Sequence, residues 1–469
     1  MLDKTTKCIT NYPVNCWYEG GYMVGIIIFL LLVLLELGFM IWDIRKGLDH
    51  KREKYRVRIA VFLIFLVMVI SPVITWNFTW YGLGLFLLVQ AIFAVIGVIK
   101  KKVSSDKKRS KLFFKGIGRG VLLSMVVFPV ILFPPMKQIL PSGEYAVGTA
   151  VYTWKDEARE EAFTEIDDKR KVTVQFYYPT DEEVELGTAA EGADIIAGGK
   201  YPLILFSHGA FGYRRSNYSA YMELASHGYV VCSIDHTYHA FFTKEQDGKT
   251  VTINLDFLNQ VLQLENNQLT AEQAYQATQE WMNLRTEDMK FVLNQITLQR
   301  NFSDADELFQ GIDMEHIGAF GHSLGGAASA QIGRELNEID AVIVLDGTML
   351  GEEVGMKDGS EILMDTPYPK PILNFYNESH YEDAMKAKDI YANTVATENA
   401  LDAYQVVING SGHLNFTDLP ILSPILAGML GTGEVDARRC ILNVNETVLE
   451  FFDHYLKDSP GEIPRERIY

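Results

Sequence analysis

The stretch GAFGHSLGGAA, residues 318–328, contains four glycines within nine residues around one serine and one histidine. It includes the pattern Gly-x-Ser-x-Gly, centred on Ser323. The residues just before it, HIGAFGHS (316–323), have the apolar character of a buried strand, and LGGAASAQIGREL (324–336) favours a helix. The serine therefore lies where a strand meets a helix, a sharp turn that strains the serine backbone and exposes its hydroxyl at the carboxyl edge of a sheet.

The small residues around Ser323 are typical of such a turn. Side chains two positions to either side would collide with the turn's own backbone, so Gly321 and Gly325 are required there. Gly326 and the alanines after it let the helix approach the sheet closely. We interpret His322, directly before the serine, as a packing or hydrogen-bonding neighbour rather than as a base.

From about residue 144 onward, short apolar runs alternate with helical stretches, which predicts a mainly parallel sheet covered by helices on both faces. Residues 180–200 and 240–268 have weaker patterning and are predicted to be loops or a lid. Strands are predicted at 172–179, 201–209, 229–235, 316–323, 341–346, 371–377 and 403–410, and helices at 219–228, 270–299, 324–336 and 446–456.

A serine hydroxyl becomes a nucleophile when a histidine takes its proton and a carboxylate orients that histidine. With the serine on a strand-to-helix turn, the acid and then the histidine follow it along the chain. His413, in GSGHLNFTD (410–418) just past the last predicted strand, is the best candidate for the base. His380 precedes that strand and His454 lies in the closing helix, so both fit less well.

The acid has two candidates on position alone. Asp346 ends the strand that follows the serine helix, and Glu378 follows the next strand, which is a commoner place in this architecture.

The oxyanion of an acyl-transfer reaction needs preorganised backbone N–H donors. One donor is expected from Leu324, at the head of the helix, where the helix dipole assists. The other is expected from Ala210 in the loop SHGAFG (207–212), where Gly209 lets the backbone come close and His208 braces the loop.

One further motif, Asp235-His236-Thr237-Tyr238-His239, has a D-H-x-x-H spacing that could suggest a metal site. It follows a strand rather than a helix, so the two histidines need not share a face, and we favour a hydrogen-bonding or pocket-lining role. We predict no metal and no cofactor for this chain.

Charge is unevenly distributed over the 469 residues, whose formal net charge is −18. Residues 1–140 contain 19 Lys and Arg against 7 Asp and Glu, so the rest of the chain is strongly acidic. That acidic part repels phosphates, and nucleic acid is not expected as a partner. Four cysteines are too few for a disulfide framework. Cys8 and Cys16 could form a bridge or remain free thiols, and Cys232 is interpreted as a core residue.

Four long apolar segments precede residue 136, at about 21–42, 60–76, 80–99 and 121–134. A transmembrane helix needs about 20 residues. The first and third segments fit, the second is a little short, and the fourth contains two prolines. We predict four transmembrane helices within residues 1–140 and a catalytic domain over residues 141–469.

Orientation follows from the basic loops DIRKGLDHKREKYRVR (43–58) and KKKVSSDKKRSKLFFKGIGRG (100–120), which should be cytoplasmic. We interpret both as solvated loops. Four spans then leave the catalytic domain on the extracytoplasmic side of the plasma membrane. Glu36, the one charge inside the first segment, is expected to face another helix.

These residues resemble a known family, the platelet-activating-factor acetylhydrolases of the plasma, lipoprotein-associated type and their bacterial relatives. The resemblance covers most of residues 144–457 and none of the membrane part. It rests on four blocks in order: YPLILFSHGAFGYRRSNYSAYMELASHGYVVCSIDH (201–236), IGAFGHSLGGAASAQ (317–331), AVIVLDGTM (341–349) and GSGHLNFTD (410–418).

The resemblance implies an α/β-hydrolase fold and a calcium-independent esterase that cleaves short or oxidised acyl chains from phospholipids. It favours Asp346 over Glu378 as the acid and implies Leu324 and Ala210 as oxyanion donors. Two departures are the membrane segments and the long helix predicted at 270–299, which could reshape the acyl pocket.

The resulting prediction is a membrane-anchored serine esterase with Ser323, His413 and Asp346 as its triad, acting on a lipid or another small ester. An acyltransferase or peptidase with the same triad is a second interpretation. A third is a membrane sensor with an inactive, hydrolase-derived domain. The oligomeric state is not predicted from the sequence.

Overall fold

The computed structural model describes residues 15–71, 73–74, 76–134, 138–164, 168–302 and 306–469, with side chains from Val24 onward. It divides into two compact units. One is the described part of Met1–Lys137 together with Ile421–Leu426, and the other is Gln138–Pro420 with Ala427–Tyr469. Cys8 and the side chain of Cys16 lie outside what is described, so the predicted disulfide alternative stays open.

The described residues before 138 form four helices and one small pair of strands. The pairing of β1 with β2 is antiparallel, with Leu48 opposite Asp106 and Asp49 opposite Ser105, and it joins the α1–α2 and α3–α4 connections at one end of the helices. The elements are α1 Asn15–Lys46, β1 Leu48–Asp49, α2 Lys51–Ile70, α3 Phe78–Ile99, β2 Ser105–Asp106 and α4 Arg109–Leu132.

Three of the described helical segments are long and apolar enough to cross a membrane: Val24–Lys46, Phe78–Ile99 and Arg109–Leu132. The segment predicted at 121–134 is thus the second half of a longer helix that continues through Pro129. The segment predicted at 60–76 is helical only as far as Ile70, and α2 begins with several Lys and Arg residues. Of four predicted membrane helices, three therefore have the required length and composition.

The interpretation of residues 43–58 as a solvated loop is wrong. Residues from Lys51 onward form the first turns of α2, and Lys54 is buried between Asp43 and Asp49, to both of which its ammonium donates. Acidic residues interleave with the basic ones in this stretch, so the charges pair with each other. Glu36 contacts Arg58 of α2 at 3.0 Å, as expected of a charge that faces another helix.

The second unit is a mixed α/β structure. Its strands are β3 Ala146–Glu160, β4 Lys169–Thr180, β5 Ala189–Glu191, β6 Tyr201–Ser207, β7 Val230–Asp235, β8 Phe242–Lys244, β9 Thr250–Thr252, β10 Ile312–His322, β11 Ala341–Leu345, β12 Glu353–Lys357, β13 Ser360–Leu363, β14 Ile372–Asn377, β15 Ala403–Ile408 and β16 Glu466–Ile468. The helices after residue 138 are α5 Tyr218–Ser226, α6 Leu255–Glu265, α7 Ala271–Arg300, α8 Glu307–Gly311, α9 Leu324–Glu335, α10 Glu378–Lys386, α11 Ala392–Thr397, α12 Leu419–Leu422, α13 Pro424–Leu430 and α14 Ala437–Leu456. Of these, α12 and α13 include residues 421–426, which belong to the first unit.

Ten strands form one sheet in the order β16-β15-β14-β11-β10-β6-β7-β4-β3-β5. From β16 to β7 all neighbours are parallel, and β4 runs antiparallel to both β7 and β3. The carboxyl ends of β6, β10, β11, β14 and β15 therefore meet at the same edge of the sheet. That edge is where open parallel sheets bind ligands.

Both faces of the sheet are buried. Along β6, Leu203 and Leu205 belong to one apolar cluster, which includes residues of α7 and α9. Ile204 and Phe206 belong to a second cluster on the opposite face, with residues of α5 and α14. Burial on both sides explains why the predicted parallel strands are continuous apolar runs rather than alternating ones.

Several parts of the second unit differ from the sequence prediction, and the largest are residues 240–268 and β3. Residues 240–268, predicted as a loop or lid, contain the β8–β9 hairpin and α6, whose first turn is capped by the Asn254 side chain accepting from Phe257 N at 2.9 Å. The 15-residue strand β3 was not predicted. It pairs antiparallel with β4 and its second half is charged and exposed, so it lacks the apolar run that marked the parallel strands.

Candidate active site

Ser323 occupies a strained turn between β10 and α9. Its φ of 55° and ψ of −125° are unusual for a residue with a side chain. The backbone is held there because Ser323 N donates to Leu345 O at 2.9 Å and Ala327 N donates to Ser323 O at 3.1 Å. The strain is of the kind that persists only where surrounding contacts enforce it.

The flanking glycines are required by close backbone contacts. A Cβ on Gly321 would lie 2.3 Å from the backbone of Gly325, the collision within the turn that was predicted. A Cβ on Gly325, however, would lie 2.0 Å from Ser207 O, so its obstacle is the end of β6 rather than the turn itself. The requirement for Gly325 was predicted correctly, but the backbone that a side chain there would strike is that of β6.

His413 forms a hydrogen bond from its Nδ1 to Asp346 Oδ2 at 2.7 Å. The carboxylate can only accept, so the proton is on Nδ1 and Nε2 is left with a lone pair. The His413 side chain is 44% exposed, whereas Asp346 is 2% exposed. The pair thus combines a buried anchor with an accessible ring, the arrangement that a general base requires.

His322 holds the backbone of His413 beside the serine turn. Its Nε2 donates to His413 O at 3.0 Å, and the two rings are 4.6 Å apart. Since His322 directly precedes Ser323, this contact brings the His413 loop to the nucleophile turn. The predicted role of His322, a hydrogen-bonding neighbour, matches this geometry.

Asp346 accepts four hydrogen bonds. Besides His413, its carboxylate accepts from Asn377 N at 2.8 Å, from Asn377 Nδ2 at 2.7 Å and from His380 Nδ1 at 2.8 Å. Burial raises the pKa of Asp346, but the hydrogen bonds from His380 and His413 outweigh that effect and bring the pKa well below its ordinary value. The carboxylate is therefore ionised and fixed in orientation.

Glu378, the other candidate acid, does not face His413. Its carboxylate accepts from Gly410 N at 2.8 Å, at the start of the loop that carries His413. Of the two candidates, the geometry brings Asp346 to the imidazole and gives Glu378 a part in holding the loop.

Two partners of Asp346 escaped sequence reasoning. His380 uses Nδ1 on Asp346 Oδ1 and Nε2 on the Tyr391 hydroxyl at 2.6 Å, so it is a second histidine on the same carboxylate. Asn377 caps α10 through its side-chain oxygen while its amide donates to Asp346. The signal was present in N-E-S-H (377–380), a polar stretch directly after a buried strand that ends at the same edge.

The loop SHGAFG (207–212), which is predicted to supply one oxyanion donor, lies against Ser323. A Cβ on Gly209 would be 2.7 Å from His322 Nδ1 and 3.2 Å from Ser323 Cβ, so only glycine permits this approach. Within the part of the chain that the structure describes, neither Ala210 N nor Leu324 N donates to a protein acceptor. Backbone amides without a protein acceptor, in the residues next to Gly209 and Ser323, are what an oxyanion site needs.

His208 braces this loop. Its Nδ1 donates to Gly209 O at 2.7 Å, and its Nε2 accepts from His236 N at 3.3 Å. Burial lowers the pKa of His208 well below its ordinary value, so the ring is neutral. Both ring nitrogens are used, which leaves none for catalysis.

A complete Ser–His–Asp chain, separate from Ser323 and His413, lies beneath the loop. Ser207 Oγ and His236 Nε2 are 2.8 Å apart, and His236 Nδ1 is 3.0 Å from Asp288 Oδ2. All three residues are fully buried, so no substrate reaches this serine. The chain serves as an internal polar support.

The D-H-x-x-H motif is thereby accounted for. Both nitrogens of His236 are used in that support, and His239 stacks on Phe257 with ring centroids 3.7 Å apart. No group of three or more potential metal ligands occurs in residues 15–469 as far as they are described.

Comparisons with known proteins identify the family of this chain. The family model described as platelet-activating factor acetylhydrolase, isoform II, matches residues 185–460, more than half of the chain. The chain belongs to this family.

Individual relatives in this family share less than a third of their residues with the chain over the matched region. The platelet-activating factor acetylhydrolase of Bos taurus is 28% identical over 284 residues, covering 57% of this chain and 60% of the relative. That of Cavia porcellus is 29% identical over 274 residues, covering 55% and 58%. The chain thus spans about 60% of the length of the curated relatives that it matches.

The fold has a solved counterpart. A ferulic acid esterase from Streptomyces cinnamoneus has a TM-score of 0.51 at 21% identity, covering 69% of this chain and 95% of that protein. The likeness establishes a mixed α/β fold with a large, mostly parallel sheet.

His322 is buried beside Ser323, and its burial makes the stability of the fold depend on pH. Burial lowers the pKa of His322 to about 3. Unfolding restores an ordinary pKa near 6.5, so the unfolded chain binds more protons below that pH and the stability provided by neutral His322 falls as pH falls.

We therefore expect wild type to lose more stability than His322→Gln, whose amide can still donate to His413 O, between pH 7 and 5. The gap between their melting temperatures, measured on the full chain in detergent, should change by about 4 °C in favour of the variant. His316→Gln is the control of opposite sign, because the hydrogen bond to Asp313 raises the pKa of His316 and its ring adds stability as pH falls; the same gap should shift in favour of wild type. A gap that stays constant with pH contradicts the assignment of His322 as a neutral hydrogen-bond donor.

Proposed function

We propose that this chain is a serine ester hydrolase that cleaves short or modified acyl esters, in particular those of phospholipids. The observation that carries the proposal is the hydrogen bond from His413 to buried Asp346, beside the strained turn of Ser323. An exposed imidazole anchored to an ionised carboxylate next to a serine on a strained turn is the constellation of acyl transfer.

In the proposed reaction, Ser323 Oγ attacks the ester carbonyl carbon while His413 Nε2 takes the hydroxyl proton. The carbonyl oxygen becomes an oxyanion that accepts from Leu324 N and Ala210 N. Collapse of this intermediate breaks the ester bond, and the departing alkoxide takes the proton from His413. Water then attacks the acyl-enzyme by the same steps, releasing the acid and free Ser323. Asp346 orients His413 and stabilises its positive charge throughout.

A phospholipid substrate is supported by two observations. Curated relatives of this chain carry the name platelet-activating factor acetylhydrolase. In addition, the chain begins with helices that have the length and composition of membrane spans, and a bilayer holds amphiphilic esters at high local concentration.

We further propose that all four helices α1–α4 cross the bilayer, which leaves the catalytic unit on the extracytoplasmic side. The β1–β2 pairing supports this, because it joins the basic α1–α2 and α3–α4 connections at one end of the helices. The chain therefore leaves that end along α2 and comes back to it along α3. After its first eight residues, which are mostly charged, α2 has 12 apolar residues, about 18 Å of helix, and the uncharged residues 71–77 continue the apolar stretch toward α3. The cationic start of α2 then lies at the cytoplasmic surface.

The nucleophile can be tested with a fluorophosphonate probe. We expect the wild-type chain to be labelled and Ser323→Ala to be unlabelled, because phosphonylation needs an activated hydroxyl. Ser207→Ala removes the serine of the buried chain and is the matched control, which should still be labelled. An unlabelled wild type, or labelling that persists in Ser323→Ala and disappears in Ser207→Ala, would falsify the assignment.

The acid can be tested by the hydrolysis of p-nitrophenyl acetate. We expect Asp346→Asn to lower kcat by about a thousandfold or more, because the amide cannot hold His413 in the required tautomer. Glu378→Gln preserves the shape of the side chain on Gly410 and should stay within about threefold of wild type. Near-normal turnover of Asp346→Asn, with a large loss in Glu378→Gln, reverses the choice of acid.

The topology can be tested by protease treatment of intact cells expressing the chain with a C-terminal epitope. We expect digestion of the epitope-bearing part without lysis, because an even number of spans returns the chain to the outer side. An epitope that is protected until the cells are lysed contradicts four spans.

A further inference from the structure

A buried arginine lies behind the oxyanion loop. Arg285, on α7, is fully buried, and among the described residues no carboxylate comes within ion-pair distance of its guanidinium. Burying a charge without a direct counterion is costly, so such a group is retained where its charge or its geometry is needed. Arg285 has no part in the reaction steps described above.

Its two terminal nitrogens are directed at the backbone of the loop, while Nε has no hydrogen-bond partner among the described residues. Nη1 donates to His208 O, and Nη2 donates to Gly209 O at 3.3 Å. Nη1 also lies 3.5 Å from Ser207 Oγ. One planar guanidinium thus holds two successive carbonyl oxygens, which a point-like ammonium would not do equally well.

Because the peptide bond is planar, this contact also fixes the direction of the following N–H group. In a trans peptide, the carbonyl oxygen of one residue and the N–H of the next point in opposite directions. Because Gly209 O is turned toward Arg285, the N–H of Ala210 is turned away from α7. Gly209 itself lies against Ser323, as its close approach to that side chain's Cβ shows.

We propose that Arg285 is a positioning residue that fixes and polarises the oxyanion loop, so that the Ala210 N–H is aimed at the developing oxyanion. The inference rests on the proposed serine hydrolase function. The hydrogen bonds from Arg285 through the Gly209–Ala210 peptide to the oxyanion form one chain, and a positive charge at its end strengthens the last donor.

The contribution of Arg285 is distinct from that of its neighbours. Gly209 O also accepts from His208 Nδ1 at 2.7 Å and from Gly212 N at 3.1 Å, so the turn keeps two neutral donors without the arginine. What only Arg285 adds is the charge and the hold on His208 O. A variant should therefore keep the loop and lose transition-state stabilisation.

The test compares Arg285→Lys and Arg285→Gln with wild type, using the full chain in detergent. Arg334→Gln is the matched control, because Arg334 is largely buried and pairs with Glu352 at 2.7 Å, away from the loop. Four quantities are measured: kcat and KM for p-nitrophenyl acetate, the inhibition constant of a trifluoromethyl ketone that forms a tetrahedral adduct, and the melting temperature.

We expect Arg285→Gln to lower kcat about a hundredfold and Arg285→Lys about tenfold, with KM within twofold of wild type. The inhibition constant of the ketone should rise in parallel with the loss of kcat, because its adduct carries the same oxyanion. Arg334→Gln should match wild type in both quantities.

A purely structural arginine would behave differently. It would lower the melting temperature of Arg285→Gln while kcat and the inhibition constant stayed near wild type, and that result overturns the proposal. If Arg285→Gln does not fold, a folded Arg285→Lys with unchanged kcat overturns it equally. A wild-type chain that neither reacts with fluorophosphonate nor hydrolyses the ester contradicts the proposed function itself, whatever the variants do.

Discussion

The backbone of Ser207 and His208 lies directly against the glycines that flank Ser323, and the rest of the site depends on this contact. A Cβ on Gly325 would lie 2.0 Å from Ser207 O, so the end of β6 and the turn after β10 meet with no side chain between them. The contact holds the serine turn in place and brings the Gly209 loop beside Ser323, where a Cβ on Gly209 would lie 3.2 Å from Ser323 Cβ. Both segments follow adjacent parallel strands, which is why the contact can form at all.

One Ser–His–Asp set in this unit is a complete hydrogen-bonded chain, and the other is the His413–Asp346 pair beside Ser323, in which no hydrogen bond joins Ser323 Oγ to His413 among the described residues. The two sets also differ in access. Ser207, His236 and Asp288 are joined by distances of 2.8 and 3.0 Å and are fully buried. His413 is nearly half exposed, and its carboxylate partner is fixed by three further hydrogen bonds. A general base must reach both the nucleophile and the substrate, so exposure of the imidazole separates the candidate site from its internal support.

The sequence predicted the parts of the fold with a strong local pattern. Buried parallel strands such as β6 and β11 are continuous apolar runs, and the Gly-x-Ser-x-Gly turn has steric requirements visible in its letters. Antiparallel β3, exposed and charged over its second half, has no such pattern. The second histidine on Asp346 and the arginine behind the loop were not predicted either. His380 and Arg285 reach the site from α10 and α7, and only the tertiary packing of those helices brings them there.

The structure of the full chain after reaction with a fluorophosphonate tests this account most directly. The account predicts phosphorus on Ser323 Oγ, with its phosphoryl oxygen about 3 Å from both Leu324 N and Ala210 N. It also predicts that His413 keeps its hydrogen bond to Asp346 and presents Nε2 to the modified oxygen. A phosphonate on another residue, or a phosphoryl oxygen turned away from both amides, would contradict it.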